Sequence, residues 1–424
     1  MAKQVGPARG MRDFLPAEKR RRDDVLATIQ RAYARHGFEP IETPAVEDHD
    51  TLHSGLGGDN EKLSFGILRR GLEASDLSAV ADPAELADLG LRFDLTVPLA
   101  RYVASHHHEL PEVFRALHVG PVWRAERPQK GRFRQFVQCD IDIVGESSTL
   151  AEREVLLATA SALDDLGIEG YQFRVNDRRL LAAALSAAGV PDDRHLSVLI
   201  TLDKLDKIGV SGVLEEIETH HAGAFDPGPL REFVERASKP VEFTASAIAE
   251  VMSAPEELAD DISQWVDDVA AVIGAERFVF DPALVRGMGY YTGSIIELAH
   301  PDSGVSLGGG GRYDQMVGRF LGKDVPAVGF SLGFERLVDL VKPVDTEENS
   351  RVALVYEEDV PSGDLVRVKR ELVEQGRSVT LVRAKKNMKS VYSSLEDRGF
   401  SAVGHLRSGQ VVGDIDWRPL GQSR

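Results

Sequence analysis

The nineteen residues from Arg124 to Asp142 set three kinds of group close together. Arginines and a lysine supply cations for phosphate oxygens, Phe136 offers an aromatic face for a purine, and Gln138 with Asp142 offers an amide and a carboxylate for a small polar substrate. Apolar residues lead in through Val119-Gly-Pro-Val-Trp123, and the alternating run Cys139-Asp-Ile-Asp-Ile-Val144 leads out. The pattern predicts two antiparallel strands joined by a long basic loop. Such a loop on a rigid ribbon suits a polyanion such as a nucleotide or an RNA end. A solvated hairpin tip is the other reading of the same residues.

Two later segments add to it. Leu284-Val-Arg-Gly-Met-Gly-Tyr-Tyr-Thr-Gly293 places Arg286 shortly before the paired Tyr290 and Tyr291, and Ser306-Leu-Gly-Gly-Gly-Gly-Arg-Tyr-Asp314 precedes Gly329-Phe-Ser-Leu-Gly-Phe-Glu-Arg336. In this order, with Arg124 and its loop, they resemble motifs 2 and 3 and the two histidine-specific signatures of class II histidyl-tRNA synthetases. Arg9-Gly-Met-Arg-Asp-Phe-Leu-Pro16 resembles that family's N-terminal segment, Gly37-Phe-Glu-Pro-Ile-Glu-Thr-Pro44 its motif 1, and Arg92-Phe-Asp-Leu-Thr-Val-Pro98 its substrate loop. One position departs. Where the family has Arg-Gly-Leu-Asp-Tyr-Tyr, this chain has Met288 and Gly289, so a carboxylate that would steady Arg286 or the tyrosines is missing.

The resemblance implies an α+β protein: a class II catalytic domain on an antiparallel sheet with a helical insertion, and a small C-terminal α/β domain like the family's anticodon-binding domain. It implies ATP-dependent ligation of L-histidine to tRNA through a histidyl-adenylate. ATP would be a substrate accompanied by Mg2+, with no prosthetic group, and the chain a homodimer. By the same resemblance Arg124 and Arg286 are the catalytic pair, holding the substrate carboxylate and the α-phosphate, Arg286 where many relatives use a metal. Glu126 would read the adenine edge, Phe136 stack on the ring, and Arg336 cover its other face and reach the γ-phosphate. Asp94, Thr96 and Gln138 would hold the α-amino group, and Asp142 and Tyr291, with Tyr290 beside them, the imidazole. The competing reading is a synthetase-like paralogue that charges nothing, such as the regulatory subunit of ATP phosphoribosyltransferase in histidine biosynthesis.

The residue types suit that chemistry. Both steps of tRNA charging build negative charge on oxygens, which fixed cations stabilise. A guanidinium fork meets two such oxygens and stays charged at any working pH. An imidazole needs hydrogen-bond partners on both nitrogens, and a buried carboxylate aimed at one of them rejects apolar side chains strongly.

Positioning these groups falls to elements that periodicity outlines. Val25, Ile29 and Tyr33 predict a helix from Pro16 to His36, and the proline-rich Phe38–Pro44 reads as an edge or interface strand. The resemblance implies a catalytic domain whose first part is residues 1–176 and whose second part is 276–342, with a helical insertion at 177–275 between them; 343–350 reads as a polar linker, and 351–424 as a tail whose pattern alternates β, α, β, α, β. Gly308-Gly-Gly-Gly311 lacks the Gly-Lys-Ser/Thr ending of a P-loop and reads as a turn that lets backbone approach the substrate. His106-His-His108 is not read as a metal site, because consecutive histidines at a helix end point in different directions.

Composition narrows the class. At 424 residues the chain is long enough for two or three domains. Cys139 is the single cysteine, which excludes an internal disulfide and a cysteine-based zinc site. No apolar run is long enough to span a membrane, and the N-terminus lacks the apolar core of a signal peptide, so a cytoplasmic protein is expected. Net charge is −18, against general nucleic-acid affinity, yet residues from Arg351 onward carry +3 and the rest −21. A weakly basic tail on an acidic body fits a local grip on RNA and equally a tail with no nucleic-acid role.

Overall fold

Val25, Ile29 and Tyr33 are buried along helix α1 (Pro16–Arg35), which Gly37 helps to end by adopting φ 81°. The computed structural model describes residues 5–53, 63–128, 131–286, 290–342 and 351–420; Met288, Gly289 and the expected linker 343–350 lie outside them. After α1 come β1 (Glu39–Ile41), β2 (Val46–Asp48), α2 (His49–Leu52), β3 (Phe65–Leu68), α3 (Ala74–Ala79), β4 (Ala87–Leu91) and α4 (Thr96–His106). β2, β4 and β3 form a small antiparallel sheet. The predicted hairpin follows as β5 (Phe114–Trp123) and β6 (Gln135–Val144), antiparallel along their full length.

Next are α5 (Leu150–Asp165) and β7 (Gln172–Asp177), and then the expected helical stretch. It consists of α6 (Arg178–Ala187), α7 (Asp192–Leu202), α8 (Leu205–His220), α9 (Pro227–Ala237), α10 (Ala245–Met252) and α11 (Glu256–Ile273). Its boundaries follow local chemistry: Asp226 caps α9 by accepting from Gly228 N at 3.0 Å with Pro227 in the first turn, and Thr244 caps α10. α8 is broken at Gly209, φ 68°. The chain returns as β8 (Phe278–Phe280), β9 (Ser294–Ala299), β10 (Gly308–Arg312), α12 (Gln315–Leu321), β11 (Ala327–Gly333) and α13 (Phe334–Leu340).

One eight-stranded sheet, in the order β1-β5-β6-β11-β10-β9-β7-β8, positions the site. It is antiparallel except at its two edges, where β1 runs parallel to β5 and β8 parallel to β7. β1 takes the edge, where Pro40, lacking an N–H, is tolerated. The two faces of the sheet differ in chemistry. Cys139, Ile141 and Ile143 of β6, Phe330 and Leu332 of β11, Leu298 of β9 and Phe173 of β7 point into one apolar core shared with α1, α5 and the helical stretch. The opposite face carries Gln138, Asp140 and Asp142, and register aligns Asp140 with Ser331, Gly309, Glu297 and Arg174 in one row across five strands.

The glycine run is not the turn expected of it. Gly308–Gly311 is the body of β10, an interior strand, and its glycines answer to close packing. A Cβ on Gly310 would stand 2.1 Å from Gly329 O, and one on Gly311 2.1 Å from Ser294 O.

Two compact units result. The first comprises Met1–Asp13 and Asp24–Val341, the second Phe14–Asp23 and the chain from Lys342 onward. The tail holds β12 (Arg351–Tyr356), α14 (Ser362–Glu374), β13 (Ser378–Arg383), α15 (Met388–Asp397), β14 (Ala402–Leu406) and β15 (Trp417–Pro419), the predicted alternation plus one strand. Its sheet order is β13-β12-β14-β15, parallel except for β15.

Candidate active site

Above the polar face of the large sheet lies a cavity of about 1220 Å³. Arg124, Glu126, Phe136 and Gln138 reach it from the β5–β6 hairpin, Arg286, Tyr290 and Tyr291 from the segment before β9, and Arg336 from α13. Eight of the residues singled out from the sequence therefore meet in one place. Asp94, Thr96 and Asp142 do not line the cavity. Asp94 and Thr96 sit at the start of α4, where Asp94 accepts from Val97 N at 3.2 Å. Arg124 ties that turn to the hairpin by donating from Nε to Phe93 O at 2.8 Å, and its guanidinium lies 5.2 Å from the Phe136 ring. Asp142 is buried beneath the floor, where Tyr313 donates a hydrogen bond to its Oδ1. Gly329 makes the room, since a Cβ there would stand 1.9 Å from that oxygen.

Tyr290 and Tyr291 are packed edge to face at 4.5 Å between centroids, and Tyr290 meets Tyr313 at 6.5 Å. Gln138 donates to Ser331 Oγ at 2.8 Å, which leaves its own carbonyl oxygen buried without a partner. Arg286 pairs with Glu297, and Arg336 donates to Ser306 O. Arg132 lies 3.7 Å from Glu126, and Glu335 pairs with Arg12 while accepting from Val137 N at 3.3 Å.

Charge is sorted across this floor. Burial pushes the Asp140 carboxyl well above the usual range, helped by Asp142 and Asp94. Burial likewise raises Asp142 to about 7, opposed by the Tyr313 hydroxyl and reinforced by Asp94. Asp94 is raised by burial, with Arg124 pulling it back. The three carboxyls lie together outside the cavity lining, whereas Arg286, Arg336 and Arg132 line the cavity itself, where burial first and then Arg132 and Arg286 lower the Arg336 guanidinium. Arg124 lies at the boundary. A cavity lined by arginines, with the unpartnered carbonyl oxygen of Gln138 among them, suits a ligand that carries an ammonium and several anionic oxygens.

The acids that line the cavity do not offer an open set for a metal. Glu126, Glu297, Glu335 and Asp206 each face an arginine, and among the described residues no group of three His, Cys, Asp or Glu could hold a metal ion.

The family model for histidyl-tRNA synthetase matches residues 10–337 of the chain. The chain belongs to the histidyl-tRNA synthetase family. A relative described as histidine–tRNA ligase, from Leifsonia xyli subsp. xyli, is 51% identical over 428 residues, covering 99% of each chain. The crystal structure of histidyl-tRNA synthetase from Nostoc sp. PCC 7120 superposes with TM-score 0.78 at 25% identity, over 98% of this chain and 95% of that one. An ATP phosphoribosyltransferase regulatory subunit/histidyl-tRNA synthetase from Bacillus halodurans C has TM-score 0.76 at 19% identity, covering 97% of this chain and 99% of that one, and shows the shared fold alone. The class II α+β architecture expected from the motifs is the architecture found.

Four residues of this family member's site went unnoticed in the sequence. Asp140 was within reach, since period two in the run Cys139–Val144 puts it on the face of Gln138 and Asp142. Tyr313 stood in the quoted Gly-Arg-Tyr-Asp string without a partner to suggest its role. Glu297 stood out as the one acid in the run Ser294–Ala299, whereas Arg174 carried no local signal, because only strand register sets it beside Glu297.

Proposed function

We propose that this cavity is where the chain carries out its family's reaction, activating L-histidine with ATP and passing the histidyl group to tRNA. The convergence of side chains carries the reading: Arg124, Arg286 and Arg336 line one cavity together with Phe136, Gln138 and the paired tyrosines. A histidine lying along it would place its ammonium at Asp94, Thr96 and Gln138, its ring toward Asp142 and the tyrosines, and its carboxylate at Arg124. Gln138 supports this with its unpartnered buried oxygen, an acceptor for an ammonium. ATP would lay its adenine against Phe136, with Glu126 at the edge and Arg336 above.

In the first step the histidine carboxylate attacks the α-phosphorus and pyrophosphate leaves. Arg286 and Arg124 would hold the oxygens where charge grows, a task for preorganised cations that need no reorganisation. In the second step a terminal ribose hydroxyl of tRNA attacks the acyl carbon and AMP leaves. Mg2+ is proposed only as a companion of the ATP phosphates. We also assign the helices from Arg178 to Ile273 to an insertion domain, the unit beginning at Arg351 to anticodon-side tRNA contact, and the segment from Pro16 to Pro44 to a homodimer interface, in a cytoplasmic protein. No helix among the described residues is long and apolar enough to cross a membrane.

ATP–pyrophosphate exchange with each of the twenty amino acids tests the reading. Histidine alone should support exchange. Exchange with a different amino acid would overturn the substrate, and none at all would favour the paralogue that charges nothing.

A further inference from the structure

Glu297 is the one acid in a strand that is apolar apart from its first residue, Ser294-Ile-Ile-Glu-Leu-Ala299, with every residue but the last buried. A carboxylate there needs strong partners to offset its desolvation, and it has two. One carboxylate oxygen meets Arg286, and the other accepts from Arg174 Nη1 at 3.0 Å. Arg174 is held in turn by Asp281, and Asp206, at the start of α8, stands 3.6 Å from it.

We infer that Glu297 is the positioning residue that holds the Arg286 guanidinium over the cavity floor, with Arg174 and Asp281 fixing Glu297 from behind. The inference rests on the reading of Arg286 as a cation of the reaction. Arg286 follows a short loop, its side chain is 38% exposed, and it shares the cavity with Arg124, Arg132 and Arg336, which repel it. Glu297 is the acid that meets it. Gly309, next to Glu297 in the sheet, leaves the floor bare beneath: a Cβ there would touch Arg286 Nη1 at 3.5 Å and Cδ at 3.6 Å.

The arrangement has a direction. If Glu297 merely diluted positive charge, removing it would strengthen phosphate attraction and speed the reaction. If it aims Arg286, removing it would free the side chain, and loss of alignment should lower the rate with little harm to ATP binding.

The experiment is histidine-dependent ATP–pyrophosphate exchange on the full-length protein. Glu297→Gln keeps the shape and removes the charge, and kcat should fall about 10- to 100-fold while KM for ATP stays level or drops. In an Arg286→Ala background the same change should alter kcat by less than about threefold, because nothing remains to be aimed. Glu297→Asp, which keeps the charge on a shorter arm, should give an intermediate kcat and guards against a Gln variant that fails to fold. Parent-like kcat in the folded variants, or an undiminished fall in the Arg286→Ala background, overturns the inference. Absence of exchange in the unmodified protein overturns instead the functional reading beneath it.

Discussion

Replacing Asp142 with Asn should make the fold more stable and the site worse. Asp142 is 4% exposed, and burial, partly countered by Tyr313, raises its carboxyl from 3.8 to about 7. The folded value lies above the unfolded one, so the native state binds this proton more tightly. The resulting stability is fully present below about pH 4 and is lost as pH rises through about 7. Roughly three units at about 1.4 kcal/mol each make about 4 kcal/mol against the parent at alkaline pH. Asn cannot ionise and still offers an oxygen to Tyr313. Thermal melts should therefore place the Asp142→Asn variant above the parent at about pH 8.5 and close to it near pH 4. In exchange kinetics the KM for histidine should rise about 10- to 100-fold, the scale of a charge-assisted hydrogen bond worth roughly 1.5–3 kcal/mol, with KM for ATP unmoved. A variant that melts lower at both pH values with an unchanged histidine KM would mark Asp142 as a purely structural carboxylate and refute the argument.

Gly329→Ala should act on the same carboxylate from the neighbouring strand, because the new methyl would stand 1.9 Å from Asp142 Oδ1; a lower melting temperature and a raised histidine KM are expected. Arg286→Ala should slow adenylate formation by about 10²–10³-fold, as for loss of one transition-state donor, with histidine binding much less affected; stopped-flow rates within threefold of the parent would discard the role. Changing the exposed Lys385, Lys386 and Lys389 of the tail unit together to Glu should leave exchange intact, raise the KM for tRNA and flatten its salt dependence. An unchanged KM for tRNA would separate this lysine cluster from tRNA binding.

Much of the protein is legible along the chain because its signals are local. The alternation in Cys139–Val144 and the basic stretch before it mark a hairpin, and β5 and β6 form it. Helix α1 and the β-α alternation of the tail follow from apolar spacing and glycine stops. The glycine run failed for a local reason too: composition alone allows a turn or a strand. The choice of strand lies with backbone pressed against Gly308–Gly311 from β9 and β11, on either side of it in the sheet.

Residue types and their order were enough to nominate Arg124, Phe136, Arg286 and Arg336, since an arginine in a motif keeps its charge and reach wherever the fold puts it. Protonation and partnership are different in kind. Asp142 and Asp140 are ordinary acids in the sequence, and only burial under the sheet with Asp94 nearby raises their carboxyls. Glu297 lies beside Arg174 and Gly309 because β9 pairs with β7 and β10 in one register, and a slip of one residue would turn that carboxylate into the apolar core. Local pattern supplies the groups. Electrostatics and alignment depend on distances between strands far apart in the chain, and those exist only once the sheet has formed.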